Sequence, residues 1–372
     1  MKAFGLISGV GSLLYGARKA GFEIVGNCDW RKYYHTGSFE HNFDRPFTMD
    51  LYDYDITNLR GLTMVMGHPE CGNFSNLRAR RMDPTNALDI PKFVKEASLL
   101  QPQFILMDDL PKSLLVHGLE EYKKHLGDYD LSFEWVSNWG YGNVQKYRDR
   151  MFLIASHKDL KYKFIPGEKE HKNVTKDVIR DCEGLPNHHP IALEDKSYWP
   201  LNYFRGWDKE EENYLVSWRE WNELMEEVPI KKNFAYYNMK NELKIKPGYF
   251  KIDINQFCPV LSGGGGFPDN HFFFDPHREY WRPFSIRERL RIMGFDDDFI
   301  LLPENPGNSG IHYKNHIKQT GKCMPIEFPY YFAKQVRKFL KKGVLPENAT
   351  RVIKPNPYIE ELTREQQQMG LF

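Results

Sequence analysis

Gly67-His68-Pro69-Glu70-Cys71-Gly72-Asn73-Phe74-Ser75 follows an apolar run, residues 62–66, that reads as a short buried strand. Gly67, Pro69 and Gly72 then break the chain at the strand's C-terminal end. Open α/β sheets carry their ligands and reactive groups at that edge. Cys71 sits in the middle of the loop, and a thiol displayed there is a candidate nucleophile, because sulfur attacks carbon well once deprotonated. Taken alone, the loop fits a small packed cysteine better. The rest of the chain reverses that judgement.

Upstream, residues 3–7 read as a first strand, followed by Ser8-Gly9-Val10-Gly11-Ser12 and a helix over 13–20. Strand, glycine-rich turn and helix let a ligand approach the backbone at a helix N-terminus. A lone Gly-x-Gly is a weak signal, and a tight turn explains it as well. A second strand over 22–26 leads to Asp29-Trp30. An acid after the second strand is placed to accept hydrogen bonds from ribose hydroxyls, and the Trp beside it suits stacking on a purine. A surface Asp next to a packed Trp reads equally well. Asp50, beyond Pro46, suits either an adenine amine or the capping of the next turn.

The order and spacing of these segments resemble the DNA (cytosine-5) methyltransferase family. Its glycine-rich first motif is similar to Ile7–Ser12, its acid-plus-aromatic motif to Asp29-Trp30, its third-motif Asp to Asp50, and its nucleophile loop to Gly67–Ser75 with Cys71 in register. The resemblance continues through a helix over 88–100 and a strand over 104–107 ending in Asp108-Asp109, where the family has Glu-Asn. Gln145, Arg148 and Arg150 then resemble a Gln-x-Arg-x-Arg motif with one residue inserted, before a strand over 151–155. Residues 282–295 resemble the ninth motif, with Ser285 as N-cap and Glu288 at the third helical position. Residues 320–326 and a helix over 330–340 resemble the tenth.

The resemblance implies an α/β fold, a Rossmann-like class I methyltransferase domain with an inserted smaller target recognition domain. The expected division is a catalytic domain over 1–157, a recognition domain over 158–257, a C-terminal return over 258–345 and a flexible tail over 346–372. It implies S-adenosyl-L-methionine as donor, held by Ile7, Gly9, Gly11, Asp29, Trp30, Asp50, Pro69 and Lys322, and double-stranded DNA as partner. By the same resemblance Cys71 attacks carbon 6 of a flipped-out cytosine, Asp108 stands where an acid contacts ring nitrogen 3, and Arg148 orients the base, with Arg150 structural.

The chemistry explains why such groups are needed. Carbon 5 of an intact pyrimidine is a poor nucleophile, and thiolate addition at carbon 6 turns the ring into an enamine-like system that accepts an electrophile at carbon 5. The base must first leave the duplex stack. The chain departs from the family at these positions rather than in the scaffold. Glu becomes Asp108, Asn becomes Asp109, Pro before the nucleophile becomes Glu70, and Gln after it becomes Gly72. A carboxylate beside a thiol raises the thiol's pKa, and acids close together oppose each other's ionisation. Three readings stay open: cytosine-5 methylation, modification of another pyrimidine or transfer of a non-methyl group from a modified adenosyl donor, and a non-catalytic DNA- or clamp-binding protein. A tRNA-directed enzyme is a less favoured option.

The bulk numbers fit this class. A chain of 372 residues with formal net charge +1 has room for a sizeable core and no global basic signal. Five scattered cysteines without a CxxC pair argue against a disulfide framework or structural zinc, and for a reducing cytoplasmic compartment. No signal peptide or membrane span is expected, no metal site, and a monomer. Aromatics interleaved with basic residues between Tyr198 and Trp221 suit a nucleic-acid surface or a small-domain core. The polar tail ends Gln368-Met369-Gly370-Leu371-Phe372, which resembles the pentapeptide that docks on a replicative sliding clamp; a chance match explains it equally.

Overall fold

The computed structural model describes residues 1–29, 36–48, 50–51, 59–69, 89–109, 120, 122–146, 148–167, 173–190, 199–200, 215–216, 250–261, 271–304 and 310–342. Trp30, Cys71, the glycine run 263–266, most of the expected recognition segment and the tail peptide lie outside the described residues. Two units form: Met1–Gly142 with Arg148–Glu170 and Met324–Phe372, and Asn143–Tyr147 with His171–Cys323. Residues 258–323 therefore group with the second unit, and the return to the first begins at Met324.

The first unit is built on a seven-stranded sheet. Its elements are β1 (Lys2–Leu6), α1 (Ser12–Lys19), β2 (Glu23–Cys28), α2 (Thr36–Phe43), β3 (Phe47–Thr48), β4 (Met64–Gly67), α3 (Asp89–Leu100), β5 (Phe104–Asp109), β6 (Tyr129–Ser137) and β7 (Asp149–His157). The spatial order is β3-β2-β1-β4-β5-β7-β6. The first five strands run parallel, and β7 is antiparallel to both β5 and β6. Parallel strands covered on both faces need continuous apolar runs rather than alternation. Met64-Val65-Met66 and Phe104-Ile105-Leu106-Met107 meet that need and are fully buried. The chain winds outward from β1 through β2 and β3, then returns to the other side of β1 with β4. The order therefore reverses between β1 and β4, where such sheets open a crevice at their C-terminal edge.

β6 is an element the sequence reading does not anticipate. Its signal was present, since Tyr129, Leu131, Phe133 and Trp135 alternate with polar residues along the strand. On one side of the sheet, Phe93, Val94 and Ala97 of α3 join Phe4, Leu6, Val65 and Ile105 in a single apolar cluster. A helix from the C-terminal segment, Glu327–Lys342, packs on α1 within the same unit. Its Phe332 and Phe339 meet Phe104 of β5 edge-on, with ring centroids 6.4 and 6.5 Å apart.

In the second unit, a helix over Ile286–Ile292 is capped as the Ser285/Glu288 spacing predicts: Ser285 N–H donates to Glu288 Oε2 at 2.7 Å, and Ser285 Oγ accepts from Glu288 N–H at 3.2 Å. Arg282 then bridges Asp275 at 2.6 Å and Glu288 at 2.7 Å, all three buried. This ties the strands His271–Asp275 and Tyr280–Pro283 to the start of the helix.

Gly67 ends β4 where no side chain fits. A Cβ there would stand 2.1 Å from the Leu6 carbonyl oxygen and 2.2 Å from the Phe93 ring. Backbone on one side and a buried ring on the other leave little room to give. Gly67→Ala is expected to lower the stability of the first unit by at least the roughly 1–3 kcal/mol typical of overpacking. Urea denaturation followed by tryptophan fluorescence would measure it.

Candidate active site

The turn after β1 is held in an uncommon conformation. Ile7 has a φ of 51°, in the left-handed region that a β-branched residue rarely adopts. Hydrogen bonds fix it on both sides: Ile7 N–H donates to Cys28 C=O at 2.7 Å, and Ile7 C=O accepts from His68 N–H at 3.0 Å. One strained residue thus links the ends of β2 and β4 across β1. Gly9 N–H donates to Asp29 Oδ2 at 3.0 Å, and Asn27 Nδ2 donates to Gly9 C=O at 2.9 Å. Gly11, at φ 87°, precedes the first turn of α1, and a Cβ there would meet the Phe43 ring at 2.7 Å. The turn therefore stays bare of side chains at Gly9 and Gly11.

Asp29 is buried at the end of β2, its N–H donating to Thr48 C=O at 3.0 Å. Asp50 follows β3 and is exposed, its C=O accepting from Thr48 Oγ1 at 2.8 Å. Ser8 Oγ is buried beside the turn without a hydrogen-bond partner among the described residues. A bare backbone turn, an acid at the second strand end and an orphaned hydroxyl fit a nucleoside bearing hydroxyls and a charged group. Pro69 is buried immediately after His68. Lys322 closes the helix Gly310–Lys322 of the second unit. Trp30 lies outside the described residues.

At the same edge of the sheet, Asp108 on β5 is completely buried. His68 Nδ1 donates to its Oδ1 at 2.6 Å. Arg150 of β7 reaches its Oδ2 through Nε at 2.9 Å and Nη2 at 2.8 Å. Burial works against ionisation, but His68 and Arg150 outweigh it and hold the carboxyl below the usual carboxylate range. The mutual opposition expected among Glu70, Asp108 and Asp109 therefore does not govern Asp108; its cationic neighbours do.

Strand register explains how these residues meet. Gly67 pairs with Met107, and Asp109 pairs with Met151. His68 and Arg150 lie one residue beyond these pairs, on either side of Asp108. Neither was singled out from the sequence as a partner of this acid. The available signal was a His directly after a strand-ending Gly, and an Arg two residues before the position facing Asp108. Arg148 is also buried, and its C=O accepts from Asn138 Nδ2 at 3.0 Å. Gln145, from the same sequence motif, belongs to the second unit, where its Oε1 accepts from Leu261 N–H at 3.1 Å.

Four other cysteines, Cys28, Cys182, Cys258 and Cys323, are buried and free. Burial, with acidic neighbours, pushes the Cys28 thiol up to about 12, and burial likewise pushes Cys182 up to about 12. Neither suits thiolate chemistry. Cys71 lies outside the described residues. Among the described residues no group of His, Cys, Asp and Glu is placed to hold a metal ion, and no helix is long and apolar enough to cross a membrane.

A family model, C-5 cytosine-specific DNA methylase, matches residues 1–338. The chain belongs to that family. It is a DNA cytosine methyltransferase, and the family is S-adenosylmethionine-dependent in general. It is 25% identical over 356 residues to the type II methyltransferase M.MthTI of Methanothermobacter thermautotrophicus, covering 91% of this chain and 97% of that one. It is 24% identical over 368 residues to M.NgoPII of Neisseria gonorrhoeae, covering 92% and 97%. Among solved structures, the methyltransferase EhMeth of Entamoeba histolytica superposes with a TM-score of 0.60 at 12% identity, covering 92% of this chain and 99% of that one. A Dnmt2 from Spodoptera frugiperda gives 0.58 at 13%, covering 90% and 99%. These two share the fold of this methylase.

The Asp108 cluster makes two testable demands on the methylase. Arg150→Ala strands a buried carboxylate and is expected to destabilise the protein by about 3–5 kcal/mol. Because the Asp108 pKa is depressed in the folded state, its contribution is present above the unfolded value, about 3.9. That contribution is lost as pH falls through the folded value. Asp108→Asn should therefore be markedly less stable than wild type at neutral pH, with the gap narrowing as the solution is acidified below that range. Paired urea titrations across pH would read both effects.

Proposed function

We propose that the enzyme transfers a methyl group from S-adenosylmethionine to carbon 5 of cytosine in double-stranded DNA, through a covalent adduct between Cys71 and a flipped-out base. The observation that carries this reading is the joining of two sites at one sheet edge. His68 donates its N–H to Ile7 in the glycine turn and its ring N–H to Asp108 in the acid cluster. A donor-binding turn and a polar base pocket at one switch point suit group transfer between two bound molecules.

When bound, the donor supplies an electrophilic methyl group on a sulfonium centre. Ile7, Gly9 and Gly11 would present backbone to it, Asp29 would accept from ribose hydroxyls, and Trp30, Asp50, Pro69 and Lys322 complete the proposed contacts. Cys71 is the nucleophile. Asp108 holds the acid position facing ring nitrogen 3, and Arg148 contributes to orienting the base. The second unit, with the segment 158–257, is the proposed source of target recognition. The tail Gln368–Phe372 is proposed to dock on a sliding clamp, and deleting it should abolish clamp pull-down without changing methylation of naked DNA.

Mass spectrometry of nucleosides from DNA of expressing cells tests the central reading, with wild type beside Cys71→Ala. A 5-methylcytosine peak that disappears with the thiol is the expected result. A different thiol-dependent mass would redirect the assignment to another pyrimidine or another transferred group. No product from wild type on DNA with donor present would refute the reading.

A further inference from the structure

On the reading of this site as a cytosine-5 methylase, the acid at Asp108 presents a difficulty. Its side chain has no exposure, while the ring of His68 keeps 13%. Both carboxylate oxygens are engaged by cations, Oδ1 by His68 and Oδ2 by Arg150. A carboxylate in that setting is an acceptor only. It has no proton to give to a base, and it does not reach the surface of the pocket. His68 lies between the buried acid and the loop that carries Cys71, three residues further along the chain.

We propose that His68 is the catalytic residue that donates a proton to ring nitrogen 3 of the target cytosine through Nε2, with Asp108 and Arg150 as positioning residues. The 2.6 Å contact to a carboxylate fixes Nδ1 as the donor. Nε2 is then the nitrogen that exchanges a proton with substrate. Asp108 supports the imidazolium that makes Nε2–H a donor. Arg150 Nη2, 3.4 Å from Nδ1, prevents the carboxylate from rotating toward the ring as a bidentate partner. Shortening Glu to Asp108 and adding an imidazole at position 68 thus place an acid where one longer side chain would otherwise stand.

The proton accounting closes. As Cys71 Sγ bonds to carbon 6, the C5=C6 pair shifts to C4=C5, the C4=N3 pair moves onto nitrogen 3, and nitrogen 3 takes the Nε2 proton. The C4=C5 pair then forms the new bond from carbon 5 to the methyl group, the N3–H pair restores C4=N3, and the proton returns to Nε2. Carbon 5 finally loses its hydrogen as a proton to water. That bonding pair restores C5=C6, and Sγ leaves carbon 6 with its own pair.

The test uses the full-length enzyme, the duplex it methylates, and the same duplex carrying 5-fluorocytosine at the target. His68→Ala should lower kcat by about 10²–10⁴-fold. KM for DNA and donor should stay within about threefold of wild type. The rate of covalent trapping on the fluorinated duplex should fall in parallel, and added imidazole should restore part of it. His68→Gln keeps a donor toward Asp108, so it guards against a folding defect, and it should fold, bind donor and lose the same rate. Wild-type kcat in either variant, or trapping at the wild-type rate, would overturn the proposal while leaving the methylase reading intact. A wild-type enzyme that makes no 5-methylcytosine would overturn both.

Discussion

A carboxylate with no solvent exposure has to be matched by charge, and Asp108 is matched from both sides of its strand. Removing an ion from water costs several kcal/mol even after relaxation, so such a group persists only with well-placed partners. β5 lies between β4 and β7, and each supplies one cation at its end of the ladder. The result fastens three strand ends together at the edge where the sheet opens. It also fixes the point from which the loop leaves after Pro69.

His68 carries that constraint further. Its N–H is held by the Ile7 carbonyl while its ring is held by Asp108. Ile7 is in turn tied to the end of β2 through Cys28, and Gly9 is tied to Asp29. A continuous run of short polar contacts therefore extends from the acid cluster through the glycine turn to the acid of the second strand. Ile7 tolerates a left-handed backbone because hydrogen bonds on both sides hold it there. Moving one end of the run would disturb the other, so the distance between the donor turn and the base pocket is set by backbone rather than by long flexible side chains.

Much of this scaffold was legible in the sequence, because its signals are local. Apolar runs ending in Gly-rich or acidic positions mark β1, β4 and β5, and Ser285 with Glu288 marks a helix start. β6 was missed although Tyr129 to Trp135 alternate cleanly, because attention to buried parallel strands favours continuous runs over alternation. The site was legible only in part. Asp108, Arg148 and the glycine turn follow from motif order, but the His68–Asp108–Arg150 cluster joins positions 40 and 42 residues apart. Which residues meet there depends on the register of β4 and β7 against β5, and register is a tertiary property. The same register assigns Asp108 its ionised state, where sequence proximity to Asp109 and Glu70 pointed the other way.

The departures from the family pattern form one coordinated change rather than a loss. Replacing Glu by the shorter Asp108 withdraws the carboxylate by one methylene, and the imidazole of His68 stands against its oxygen. A site released from catalytic demand gains nothing by keeping this arrangement, since a buried ion cluster exchanged for packed apolar side chains is often neutral or more stable. Here Asp108 has no exposure, Arg150 pairs with it, and His68 contacts it at 2.6 Å. Retaining three matched polar groups at the reactive edge, where apolar packing would serve stability as well, is the physical reason for reading the altered loop as working chemistry.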